Sequence, residues 1–118
     1  MKWVKVLRQE ELPEGARRVV NVGGRPILLL RDGSQIHAMD NTCPHMGAAL
    51  ETGEVTEEGT IVCPRHHSAF DLQTGEVKAW APWPPGVGRV LARFSTEKPL
   101  PLFPTRVQEG SIWVEVEE

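Results

Sequence analysis

Two short stretches, "NTCPHMGAAL" at 41–50 and "CPRHHSAF" at 63–70, hold both cysteines and three of the four histidines of the chain. The spacing is Cys43-x-His45, then seventeen residues, then Cys63-x-x-His66. Each half offers one thiolate and one imidazole from a tight turn. Pro44 and Pro64 follow the two cysteines and stiffen those turns, because proline fixes φ and has no N–H to donate. Neighbouring N–H groups are then left to point at sulfur. Two such loops facing each other make a four-ligand site. A tetrahedral zinc ion accepts two cysteines and two histidines. So does a 2Fe–2S cluster with sulfur ligands on one iron and nitrogen ligands on the other. Ligand count does not separate the two, but the surroundings do. Structural zinc sites usually keep two or more residues inside each ligand pair, and the first pair here keeps one. A cluster is also larger than one ion and needs a pocket between separate loops. A Cys43–Cys63 disulfide would leave the neighbouring histidines unexplained.

The elements that must position these loops are short and β-rich. At 118 residues the chain is long enough for one domain, 1–118, with one core. A composition of 40% hydrophobic and 25% charged residues is that of a globular chain. A net charge of −3 argues against nucleic-acid binding, which needs a basic face. No apolar run approaches the roughly 20 residues of a membrane span. The N-terminal "MKWVKVLRQEELPEG" interrupts its apolar residues with charges, unlike a signal peptide. Two cysteines beside histidines in such a chain fit a cytoplasmic protein with reduced thiols.

Gly23-Gly24, Asp32-Gly33, Thr74-Gly75 and Glu109-Gly110 punctuate strand-like runs and predict hairpins. The expected architecture is an antiparallel sandwich or small barrel. Its core should include Val4, Val20, Ile27, Leu29, Ile36, Ile61, Val77, Val107, Ile112 and Val114. His37 falls on the polar phase of its strand and reads as surface. Residues 80–98 depart from the pattern. After a proline-rich start, Val87, Val90, Leu91 and Phe94 take the spacing of a helix face, so an extra loop or short helix is expected there. The sequence shows no internal repeat, linker or low-complexity tail.

"CPHMGAAL…CPRHHSAFDLQTGE" resembles the Rieske family, whose pattern runs Cys-Pro-His-x-Gly-x-x-Leu, then Cys-Pro-x-His-Gly-x-x-Phe-Asp and a Thr-Gly turn. The match is close over residues 43 to 76, and "PLPLFPTRVQEGSIWVEV" is similar to the family's C-terminal flank. The resemblance implies an all-β, antiparallel Rieske-like sandwich with a cluster-binding part of two loops at about 41–80. It implies one 2Fe–2S cluster with Cys43 and Cys63 on one iron and His45 and His66 on the other. His67 stands where the family has glycine, which serves a tight backbone approach or an unusual φ, so the second loop is expected to be slightly reshaped. His67 reads first as an exposed turn residue and second as a residue that supports the cluster from behind its ligands or handles protons. Trp80 and Trp83 read equally as core anchors or as a docking patch.

Two ferric ions, two sulfides and two thiolates sum to zero charge, whereas four thiolates would give a dianion. Histidine ligation therefore raises the potential, to about −150 to +300 mV against roughly −400 mV for all-cysteine ferredoxins. Imidazoles on ferric iron lose protons more readily, so the potential should fall in the alkaline range. High-potential Rieske proteins carry an extra cysteine in each loop, plus a serine and a tyrosine that donate to cluster sulfurs. Here Ala48 and Arg65 take the cysteine positions. Ser68 matches the serine, Phe70 replaces the tyrosine, and the chain has no tyrosine. The expected potential lies below the respiratory type and above that of ferredoxins lacking the serine.

The resemblance implies a soluble electron carrier rather than an enzyme. It would pass single electrons from a reductase to a terminal oxidoreductase such as an aromatic-ring dioxygenase. One alternative is the small Rieske subunit of a larger redox enzyme such as a nitrite reductase. Another is a Cys2His2 zinc module used for binding. Glu54, Glu57 and Glu58 read as a solvated loop that can also steer a basic partner.

Overall fold

The structure, a computed structural model, describes residues 2–44, 48–64, 67–79 and 98–116. In chain order its strands are β1 (Lys2–Arg8), β2 (Arg17–Val22), β3 (Arg25–Asp32), β4 (Gln35–Asp40), β5 (Glu54–Val55), β6 (Thr60–Val62), β7 (Ala69–Asp71), β8 (Val77–Ala79), β9 (Leu102–Phe103), β10 (Thr105–Gln108) and β11 (Ser111–Val116). All pairings among them are antiparallel. They fall into two compact units, Met1–Asp40 with Leu102–Glu118, and Asn41–Pro101.

The first unit is a sandwich of a three-stranded sheet, β1-β11-β10, and a four-stranded sheet, β2-β3-β4-β9. Hairpin turns set the register as the sequence predicts. Val22 pairs with Arg25 across Gly23 and Gly24, which take φ of 59° and 81°. A two-residue turn of this hand needs positive φ at both positions, which glycine supplies without a Cβ clash. Gln108 pairs with Ser111 across Glu109 and Gly110 in the same way.

Alternate residues of the facing strands point into the space between the sheets. Leu7, Leu12, Ile27, Leu29, Ala38, Ile112, Val114 and Val116 form one buried cluster, with Val4, Val20 and Ile36 packed against it half-buried. Truncating one fully buried leucine of such a cluster to alanine costs about 2–5 kcal/mol. The Thr105 hydroxyl donates to the Ile36 carbonyl at 3.0 Å and fixes β10 against β4. On the outer face, the Arg106 guanidinium lies 4.4 Å from the Trp3 ring centroid and 6.0 Å from that of Trp113.

Two expectations fail here. Val107 is 46% exposed rather than in the core. It sits on β10, an edge strand of its sheet, beside the exposed turn at Glu109–Gly110, and so lacks a neighbouring strand on one side among the described residues. His37 is buried, not on the surface. Leu28, Leu30 and Met39 on the same phase of β3 and β4 are buried too, so these strands are covered on both faces and polar–apolar alternation does not mark an outside.

The second unit carries the sheet β5-β6-β7-β8. Leu50, Ile61 and Phe70 are wholly buried, and Leu72 and Leu100 nearly so. The turn between β7 and β8 is tied by Asp71, whose Oδ1 accepts from the N–H groups of Gln73 at 2.7 Å and Thr74 at 3.1 Å. These bonds, the Gln73 one foremost, hold the Asp71 carboxyl below its usual range. The extra loop or short helix expected in residues 80–98 falls, but for Lys98, outside the described residues, as do Trp80 and Trp83. Among the described residues no helix is long and apolar enough to cross a membrane.

Candidate metal centre

Cys43 and Cys63 each sit at the base of a hairpin tip, and the two tips are closed by the same bond. The Cys43 N–H donates to the Ala48 carbonyl at 2.7 Å, and the Cys63 N–H donates to the Ser68 carbonyl at 2.7 Å. The equivalence continues down both stems. Thr42 bridges Ala49 as Val62 pairs with Ala69, and Asn41 bonds Leu50 as Ile61 pairs with Phe70. Residues 41–50 and 61–70 therefore build one hairpin twice, twenty residues apart. The sequence shows no internal repeat because the shared object is a hydrogen-bond frame. Few of the side chains on it match beyond Cys-Pro and one alanine.

Both cysteines are reduced, with no disulfide between them, and both are sealed from water at 1% and 2% exposure. Each is the only buried polarizable sulfur on its tip among the described residues. The other two expected ligands, His45 and His66, lie outside the described residues, as does Arg65. Among the described residues no three of His, Cys, Asp and Glu converge as a metal site, which accords with two of the four expected donors being described.

His67 is described. It is exposed and holds φ of 62°, left-handed backbone, with its N–H on the Cys63 carbonyl at 3.1 Å. The unusual φ expected at this position is present, and histidine bears it. Ser68 is wholly buried immediately after it, and so is Phe70, whose ring has no hydroxyl to donate. Glu54, Glu57 and Glu58 are all exposed, in keeping with a solvated loop.

Gly53 escaped the sequence reading. A Cβ there would strike the Val62 carbonyl oxygen and come within 3.1 Å of the Leu50 carbonyl. Gly53 thus lets the chain leaving the first tip run against the strand entering the second. Asn41 is buried too, and its Oδ1 has no partner among the described residues. Nothing in the sequence marks Asn41. Gly53 looked like one turn glycine among several.

Two buried thiols on matched tips suit a thiolate-bound metal centre, zinc or iron–sulfur alike, and the comparisons decide between them. The model of the Rieske [2Fe-2S] domain matches residues 2–100. The chain belongs to this family, and its cofactor is a 2Fe–2S cluster. It is 32% identical over 76 residues to the ferredoxin component of the alkene monooxygenase system of Xanthobacter autotrophicus, an alignment spanning 64% of this chain and 62% of that relative. It is 33% identical to ferredoxin CarAc of Metapseudomonas resinovorans over 95% of this chain and 92% of the relative. Among solved structures, the ferredoxin of carbazole 1,9a-dioxygenase from Nocardioides aromaticivorans IC177 superposes with a TM-score of 0.77 at 26% identity, covering 99% of this chain and 100% of that one.

Proposed function

We propose that this chain is a one-electron carrier between a reductase and a terminal oxygenase of the aromatic-ring type, and that it performs no oxygen chemistry itself. The observation that carries this is the pair of equivalent tips, each presenting one sealed thiol. Two of the relatives named above are ferredoxins of oxygenase systems, which supports the same reading. The free cysteines support a cytoplasmic setting, where thiols stay reduced.

The ligands we assign are Cys43 and Cys63 to one iron and His45 and His66 to the other. When bound, the cluster supplies a one-electron couple at a potential that its neutral ligands raise. The chain's own residues do the rest. The thiolates of Cys43 and Cys63 bind and, being buried, keep water from the sulfur side. Pro44 and Pro64 restrict the tips, so little reorganisation accompanies a change of charge. Ser68, whose side chain is buried beside Cys63's closing bond, supplies the hydroxyl we assign to a cluster sulfur. Phe70 supplies none, which keeps the potential below the respiratory type.

The test is anaerobic reconstitution with iron and sulfide, reduction with dithionite, and electron paramagnetic resonance at low temperature. The expected result is a rhombic signal of low average g from a mixed-ligand cluster. A silent sample, or one that retains zinc and stays colourless, removes the proposal. Stopped-flow mixing of the reduced protein with an oxidised ring-hydroxylating oxygenase then tests the direction of transfer.

A further inference from the structure

Asn41 carries the one buried side-chain acceptor in the second unit that has no partner among the described residues. Its exposure is 7%, and leaving such a group unpaired costs about 1–3 kcal/mol. The position is informative. Along 41–43 burial alternates buried, exposed, buried, so Asn41 and Cys43 share the inner face of the first hairpin with Thr42 turned outward. The equivalent residue in the second hairpin is Ile61, wholly buried and apolar. The frame thus needs no polar group at this place, yet one of its two copies has a carboxamide on the face that carries the thiol.

We propose that Asn41 is a positioning residue for the cluster, donating a hydrogen bond from its carboxamide Nδ2 to sulfur on the Cys43 side. This rests on the ligand assignment above. A half-turn about the Cβ–Cγ bond exchanges oxygen for nitrogen and puts a two-proton donor where the orphaned oxygen stands. A thiolate or sulfide accepts hydrogen bonds and offers none, so only that orientation satisfies a carboxamide facing a sulfur-rich group. Donation strengthens as negative charge builds on sulfur, so it favours the reduced form and raises the potential. The two cysteines are then unequal. Cys43 has a polar neighbour on its face, and Cys63 has Ile61.

The test uses the holoprotein. In Asn41→Leu, a near-isostere, the ratio of reduced to oxidised protein at a fixed applied potential should drop about tenfold, equivalent to about 59 mV for a one-electron couple, with the visible spectrum unchanged. The wild type gives a second readout independent of that variant's folding. The chain has two asparagines, Asn21 on the exposed side of β2 and Asn41. Protein labelled with 15N in asparagine carboxamides alone should show one weak 15N coupling in the pulsed resonance spectrum of the reduced cluster, beside the 14N of histidine. An unchanged potential in Asn41→Leu overturns the proposal. So does labelled protein without a 15N coupling, which would mean a buried water satisfies Oδ1 instead. Unlabelled wild type with no low-g signal would sink the cluster assignment itself, a separate outcome.

Discussion

Gly53 stands against the carbonyl of Val62 with no room for a Cβ between them. Its N–H donates to Leu50 at 2.8 Å, at the end of the first hairpin, and Val62 leads directly into Cys63. One backbone contact therefore joins the exit of one tip to the entrance of the other. Glu54 pairs with Val62 at the next step and extends the join into the β5–β6 ladder.

Gly53→Ala should break that join. The added methyl meets backbone, which yields little, so the cost is of the overpacking kind, about 1–3 kcal/mol. The melting temperature should fall, and iron per chain after reconstitution should fall with it. An alanine variant with wild-type melting and full iron content would refute the close approach.

His67→Gly should do the opposite. Left-handed backbone costs a residue with a Cβ about 1–2 kcal/mol, of which the looser unfolded glycine chain takes back a part. A net gain of about 1 kcal/mol is expected from urea unfolding of the holoprotein. The residue is exposed, so little burial is lost with its side chain. A loss of stability would mean that the imidazole makes a contact worth more than the strain.

Asp71 sets an acid limb. Its folded pKa is lowered, first by the Gln73 amide bond, from an ordinary value of 3.8. A depressed carboxylate contributes stability above its unfolded pKa and loses it as pH falls through the folded one. Asp71→Ala should therefore be less stable than wild type at neutral pH, and the gap should close on acidification below 3.8. Urea midpoints measured across that range check it. A gap independent of pH would assign the effect to lost turn geometry alone.

His66→Cys changes the charge of the assigned ligand set by one unit. The oxidised centre becomes an anion, electron addition becomes harder, and the midpoint potential should move toward the roughly −400 mV of all-cysteine clusters. Average g should rise as well. An unaltered potential in a variant that still holds two irons would show that position 66 is not a ligand.

Much of this was legible in the sequence, for reasons that differ by residue. Gly23-Gly24 and Glu109-Gly110 could be read because a two-residue turn demands positive φ, and the demand is local. Cys43 and Cys63 could be read because soft-metal chemistry limits which side chains occur at that spacing. Val107 could not, since nothing in its own strand says that β10 is an edge. His37 could not, since strands covered on both faces erase the polarity signal. The doubled hairpin is the hardest case. Asn41 and Ile61, or Leu50 and Phe70, occupy equal places in it with unlike side chains, so only main-chain bonding reveals the correspondence. Gly53 depends on a contact with Val62, nine positions on, which no local pattern records.

The pairing of β1 with β11 sets Lys2 opposite Val116, so the polypeptide enters and leaves the sandwich side by side. A module with adjoining ends can be spliced into a host loop while adding little to the entropy of closing that loop. The same architecture can thus travel as a diffusing shuttle or as a cassette within a longer oxidoreductase, with the strand zipper at its ends serving as the socket.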